Sequence, residues 1–416
     1  MKMKIQVVLL IMAALALAGC DHYKCTSGAQ FDAEGCTSTG SGLSGGSPTS
    51  AVAYPFFIDT NGTIDGYTLT ASTFGNTTGY TAPTIPASDI GLGMAVAQNQ
   101  FLYAVFPSTQ QLYGWSIDSA GNLTAITGLP VTLPLTVPTL LAYNEYAVIT
   151  NPTGTLLFIS NAGANNIFVF QIGTGGAVTA APGSPFSTPG VTPMNMGMDG
   201  LGKYLYVTSE DASLDHLSTG IGAYSVSSTG VLAAVPGSPF TSNGSINYNM
   251  FEVQGEATGK YLIGSSGEVF YLTGVDDTHL YVFGIGTNGA ITPVSGSPFA
   301  TQFAPFNIAV QPNDQSGAFI YSFSLIDATQ NPGPNPVEGY QLNPSTGALT
   351  AVAGSPFTGN DQSRASWGGF DPSGAYLFFD SEQTFVPYSV GSTGNITQLV
   401  PTGTTNAGYW AIADAQ

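Results

Sequence analysis

The tetrapeptide Gly-Ser-Pro-Phe recurs at residues 183 to 186, 237 to 240, 296 to 299 and 354 to 357, at intervals of 54, 59 and 58 residues. A period of this size means one supersecondary unit stacked on copies of itself, because so small a unit cannot bury its apolar face alone. Before each tetrapeptide stand a Gly-containing turn and a short strand: GTGGAVTAA, SSTGVLAAV, GTNGAITPV and PSTGALTAV. After it come a loop, a strand, a second turn and an aromatic strand: KYLYV at 203 to 207, KYLIG at 260 to 264, AFIYSF at 318 to 323 and AYLFF at 375 to 379. Nothing in the unit sustains helical periodicity, whereas short alternating or aromatic runs broken by Gly, Pro, Asn and Ser keep returning. The unit is therefore all-β.

Degenerate copies extend the pattern upstream through FLYAV at 101 to 105 and TLLFI at 155 to 159, and the last copy ends in GNITQLVPTG at 394 to 403. Residues 51 to 416 then hold seven units of about 52 residues, the size of a four-stranded propeller blade with its loops. The expected fold is an all-β, seven-bladed β-propeller with four-stranded antiparallel blades. Tyr54-Pro55-Phe56-Phe57-Ile58 aligns with the second strand of a unit and Trp410-Ala411-Ile412-Ala413 with the first, so the C-terminal strand is predicted to close the first blade. Sealing the ring from both ends removes open sheet edges.

Charge narrows the partners. Only 7% of residues are charged and 43% are hydrophobic, which excludes a disordered chain and a coiled coil. Acids outnumber cations 25 to 6, for a net charge of -19. Phosphate recognition needs clustered Lys and Arg, so nucleic acid is excluded as a partner.

Residues 1 to 20 read as a signal peptide: Lys2 and Lys4, an apolar run from Ile5 to Ala18, then small residues before Cys20. The run is shorter than the ~20 residues of a membrane span. Leu17-Ala18-Gly19-Cys20 resembles the bacterial lipobox, which implies an acylated Cys20 and a membrane-anchored lipoprotein of the cell envelope, facing the periplasm or the exterior. Residues 21 to 50 form a tether, with TSTGSGLSGGSPTS as a flexible spacer and Cys25 and Cys36 expected to close a small disulfide loop in an exported chain. Gly42-Leu43-Ser44-Gly45-Gly46 fits the nucleophile-elbow pattern but lies in this spacer, with no strand before it, and is rejected.

In a four-stranded meander the loops between second and third strands share one face with the blade-to-blade connections. Those loops are long near 208 to 220, 265 to 279 and 325 to 338, and they carry Glu210, Asp211, Asp215, His216, Glu268, Asp276, Asp277, His279, Asp327 and Glu338. The first strand of each blade lines the central channel, which places Asn195, Glu252, Asn307, Trp367 and Tyr409 at equivalent positions around its mouth. Arg364, the only arginine, immediately precedes the last blade's first strand. Solvated loops also collect acids and histidines without any function, and Asn and Trp also cap strand ends.

The tetrapeptide, the segment Pro305 to Pro312, the turn Asp371-Pro372-Ser373-Gly374 and the aromatic strand together resemble the seven-bladed lactonase family, typified by bacterial 6-phosphogluconolactonase, and the related YVTN surface propellers. The resemblance spans residues 51 to 416. It implies lactone hydrolysis or ligand binding at the loop-rich face. Hydrolysis needs a base for water and a donor or cation for the oxyanion, for which Glu252, His216 and His279 are the candidate bases and Arg364 the stabiliser. Asn195, Asn307, Trp367, Tyr409, Asp211 and Asp277 are the candidate ligand-binding residues. A phosphorylated lactone would call for several cations, yet Lys203 and Lys260 fall on the opposite face, so a neutral ligand is expected.

Three functions stand side by side: a module binding a small carbohydrate-like or lactone ligand, a hydrolase of neutral lactones, and a structural or interaction protein with an envelope partner. No cofactor and no metal site enters this reading. Gly284-Ile285-Gly286-Thr287-Asn288-Gly289 fits G-x-G-x-x-G but aligns with the other outer turns, and is expected to be a hairpin. Asp59 to Asp65 has calcium-like spacing, while its Asn61-Gly62 is a strong hairpin signal; the hairpin is preferred.

Overall fold

Each repeat folds as an antiparallel meander because its apolar residues alternate along short strands and its glycines supply the positive φ of tight turns. The computed structural model describes residues 30–32, 35–37, 51–58, 62–70, 73–85, 93–136, 146–189, 192–209, 220–242, 248, 250–266, 277–312, 317–324, 337–357, 365–381, 384–399 and 410–416. Seven antiparallel sheets of four or five strands follow one another along the chain, the blades of a propeller. A separate hairpin pairs Gln30–Asp32 with Gly35–Thr37 and sets Phe31 opposite Cys36. Cys20 and Cys25 lie outside the described residues.

The first blade is closed as expected. The C-terminal strand Trp410–Asp414 pairs antiparallel with Ala51–Ile58, from Phe57 opposite Trp410 to Ala53 opposite Asp414. The innermost strands of blades 2 to 7 are Met94–Ala97, Val148–Thr150, Pro193–Met198, Glu252–Gly255, Asn307–Val310 and Ala365–Phe370. Gly286 and Ala290 bond across the turn between His279–Ile285 and Ile291–Pro293, so the G-x-G-x-x-G segment is a hairpin. Ile58 pairs with Ile64 and Gly62 has φ 81°, while residues 59–61 lie outside the described residues.

The Gly-Ser-Pro-Phe marker has a specific structural task. Its serine hydroxyl accepts a third-strand backbone N–H where the outer strand breaks off: Ser184 from Val169 at 2.9 Å, Ser238 from Ala223 at 2.8 Å, Ser297 from Val282 at 3.1 Å and Ser355 from Gly339 at 2.9 Å. The Ser-Pro bond is cis in all four copies, and the following Phe returns to pair with the start of the third strand, as Phe186 does with Ile167 and Phe299 with Leu280. The side chain thus substitutes for a ladder acceptor that the outer strand no longer offers.

The core lies between blades. One cluster joins Tyr206, Ile221 and Ala223 of blade 4 to Val253, Leu262 and Phe283 of blade 5, and similar clusters fill the other gaps. Buried tyrosines tie this packing together: the hydroxyls of Tyr103, Tyr206 and Tyr321 donate to the carbonyls of Gly176, Gly289 and Gly394 in the next blade's outer turn, at 2.6, 3.0 and 2.6 Å. Glycine is required at such a turn. Gly289 has φ 83°, and a Cβ there would stand 2.4 Å from the Tyr204 ring.

Candidate functional site

At the opening of the inner strands, side chains bond one blade to the next. Glu252 of blade 5 accepts from Asn307 Nδ2 at 2.7 Å and from the Ile308 backbone N–H at 2.9 Å, both in blade 6. Asn307 in turn accepts through Oδ1 from the Gly368 N–H of blade 7 at 2.8 Å. The chain runs from Glu252 through Asn307 to the backbone N–H of the residue after Trp367. Gln254, two residues along and so on the same face of its strand, donates to Glu252 Oε1 and to the Ile308 carbonyl, both at 2.8 Å, and accepts from Val310 N–H at 3.0 Å. Asn195 behaves differently: its Oδ1 accepts from the neighbouring Met196 N–H at 2.8 Å.

Glu252 is thus buried, at 6% exposure, with both carboxylate oxygens engaged by donors. Beside it, Phe251 and Phe306 stack with ring centroids 4.6 Å apart, and Phe306 is buried. These contacts link blades 5 and 6 at the described part of the mouth.

A second cluster forms at the start of blade 5's third strand. His279 Nδ1 meets Asp277 Oδ1 at 2.7 Å, and the Tyr281 hydroxyl donates to Asp277 Oδ2 at 2.7 Å. Residues 277, 279 and 281 alternate along the chain, which puts all three side chains on one face. The His279 side chain is 39% exposed and that of Asp277 only 18%, so the carboxylate is held and the imidazole edge reaches solvent. With Nδ1 committed to Asp277, Nε2 is the nitrogen available to a proton on a solvent-side group.

The structure separates these two clusters. Glu252 aligns with Ser265 and Ser265 with Leu280, so the third strand lies two strand spacings, about 10 Å, from the first. Leu280 packs in the gap between blades 5 and 6, whereas Tyr281 packs between blades 4 and 5. Glu252 therefore points toward blade 6 and His279 toward blade 4, on opposite faces of one sheet.

Glu338 heads the third strand of blade 6 and is buried. Its carboxylate accepts from the N–H groups of Gln302 and Phe303, at 3.0 and 3.1 Å, and from the Tyr340 hydroxyl at 2.8 Å, which fixes the connection from blade 5 to blade 6. Burial, and then the Glu338 charge, raises the pKa of Tyr340 well above the usual phenol range, so it acts as a donor. Lys203 and Lys260 lie at the other ends of the strands, where Asp199 and Glu256 accept their backbone N–H groups at 2.7 and 2.6 Å. Glu210, Asp211, Asp215, His216, Glu268, Asp276, Asp327, Arg364 and Tyr409 lie outside the described residues, as does the side chain of Trp367.

Gln254, Tyr281, Phe251 and Phe306 escaped the sequence reading. Two of them carried a legible signal, since Glu252-x-Gln254 and Asp277-x-His279-x-Tyr281 have the period of two that places polar groups on one strand face.

No family profile and no curated protein matches the chain. Solved structures do. A putative 6-phosphogluconolactonase from Bacteroides uniformis aligns with a TM-score of 0.59 at 15% identity, over 88% of this chain and 99% of that one. A putative 6-phosphogluconolactonase from Bacteroides fragilis gives 0.59 at 14% identity, over 89% and 100%. The periplasmic gluconolactonase of Pseudomonas aeruginosa gives 0.57 at 11% identity, over 88% and 100%. The chain has the lactonase-type propeller fold. At these identities the likeness establishes the fold, and the chemistry of this propeller has to be argued from its own side chains.

Proposed function

We propose that this lactonase-type propeller is a lipid-anchored, extracytoplasmic protein that binds a small neutral ligand, a carbohydrate or a lactone, at the face formed by the blade-to-blade connections. The observation that carries the reading is the Glu252–Asn307–Gly368 hydrogen-bond chain, which ties together the openings of the inner strands of three consecutive blades. A preorganised rim lowers the ordering cost of capturing a small polar molecule. The lipobox-like Leu17 to Cys20 and the spacer before residue 51 support surface display. A periplasmic gluconolactonase among the structural neighbours agrees with both the location and the ligand class.

Hydrolysis of a neutral lactone is the second reading, and the Asp277–His279 pair favours it. His279 Nε2 would take a proton from water as its oxygen adds to the lactone carbonyl; collapse of the adduct breaks the ring C–O bond, and the imidazolium returns the proton to the departing alkoxide. The product is the open hydroxy acid, with no other reactant consumed.

One experiment separates these readings. Calorimetric titration and pH-stat hydrolysis are run on the mature protein with neutral aldonolactones, their phosphorylated forms and the parent sugars. Saturable binding without turnover supports the binding module. Turnover lost in His279→Ala establishes the hydrolase. Neither binding nor turnover with any compound removes both and leaves an envelope structural role.

A further inference from the structure

Blade 4 holds the outer turn of blade 5 at two points. The Tyr204 hydroxyl donates to the Thr287 carbonyl at 2.7 Å and the Tyr206 hydroxyl to the Gly289 carbonyl at 3.0 Å, one on either side of Asn288. The turn is closed by the Gly289 N–H on the Gly286 carbonyl and by the Gly286 N–H on the Ala290 carbonyl, both at 2.8 Å. At the position of Asn288 the outer turns of blades 2, 3, 4, 6 and 7 carry Ala120, Gly175, Thr229, Thr346 and Thr393, each followed by glycine. An asparagine before that glycine is thus particular to blade 5 among these turns.

Asn288 is exposed, and its Oδ1 accepts the Ala290 N–H at 3.2 Å. That bond turns the side chain forward along the chain, past the intervening Gly289 nitrogen. It also polarises the side-chain carbonyl, because a donor placed on Oδ1 stabilises the negative charge that develops there when Cγ is attacked. Gly289 has no side chain to hinder the approach of its nitrogen.

We infer that Asn288 is a site of self-modification. The Gly289 backbone nitrogen leaves the Gly286 carbonyl, gives its proton to solvent base and attacks Asn288 Cγ. The new C–N bond forms, the Cγ–Nδ2 bond breaks, and the side-chain amide departs as ammonia. The cyclic imide then takes up one water at either of its carbonyls and opens to aspartate or isoaspartate. Water is the only reactant consumed, and nothing is oxidised or reduced.

Isoaspartate has a consequence at this position because it carries the main chain through Cβ and Cγ. The link between the Thr287 and Gly289 carbonyls grows by one carbon, so Tyr204 and Tyr206 lose the spacing that lets both hydroxyls bond. The new carboxylate also adds to a surface on which acids already outnumber cations 25 to 6. Modification therefore weakens the tie between blades 4 and 5.

The test ages the full mature chain at mildly acidic and mildly alkaline pH and follows its peptides by mass spectrometry, with fragmentation that separates isoaspartate from aspartate. Asn288 should convert with release of ammonia, faster at alkaline pH, and well ahead of the exposed Asn395, which is followed by Ile396. Hydrogen exchange of Tyr204–Ser209 in the aged protein should then quicken by about fivefold relative to Phe319–Phe323 of blade 6, the equivalent of one lost hydrogen bond. Asn288→Thr, which installs the residue of the blade 4, 6 and 7 turns, should show neither change on ageing. The inference is overturned if Asn288 ages no faster than Asn395, or if its conversion leaves the blade 4 exchange unaltered. The wild-type time course decides both points even if the variant folds poorly.

Discussion

At the scale of single residues, the deciding contacts are those that engage an acid on all sides. Glu252 stands where a general base for lactone opening would be sought, yet its oxygens are already held by Asn307, Ile308 and Gln254. A buried acceptor removed from such a network leaves its donors unpaired. Glu252→Ala is accordingly expected to cost roughly 1–3 kcal/mol of stability, read as a lower urea midpoint at unchanged slope. A variant with wild-type stability but no lactone turnover would instead make Glu252 a base. His279 is the opposite case. Its imidazole is partly exposed, so His279→Ala should leave the urea midpoint nearly unchanged while testing the chemistry. The alignment of the repeats predicted that Glu252 and Asn307 were equivalent. It could not show that one bonds to the other, because that contact crosses from one blade to the next over 55 residues of chain.

At the scale of the strand, the tetrapeptide that revealed the repeat is there to repair a ladder. Each outer strand breaks before it reaches the start of its neighbour, and the serine hydroxyl covers the orphaned N–H. Ser238→Ala should therefore leave the Ala223 N–H without its acceptor and cost about 1 kcal/mol, measured by urea unfolding. The same loss is expected at Ser184, Ser297 and Ser355, since the four bonds lie between 2.8 and 3.1 Å. A serine-to-threonine change, which keeps the hydroxyl, should recover most of it; equal losses from alanine and threonine would make the hydroxyl irrelevant. Strand order, the aromatic second strands and the positive-φ turn glycines were legible because they rest on local alternation and turn chemistry. The role of Ser was not, because the sequence shows that a residue recurs without showing which N–H it meets.

At the scale of the whole molecule, ring closure and charge act against each other. The number of blades and the return of Trp410–Asp414 to the first blade could be read in advance, because a closed array must account for every repeat and leave no edge. With 25 acids against 6 cations, the surface repels itself, and compactness raises that repulsion in the folded state above that in the expanded chain. Screening should relieve it: raising sodium chloride from about 20 mM to about 300 mM shortens the Debye length from roughly 20 Å to below 10 Å. The melting temperature is expected to rise by a few degrees over that range near neutral pH. A melting temperature that fell with salt would mean that attractive ion pairs outweigh the excess of acid. Such pairs would have to be supplied by very few lysines, two of which, Lys203 and Lys260, sit in turns far along their strands from the loop-rich mouth.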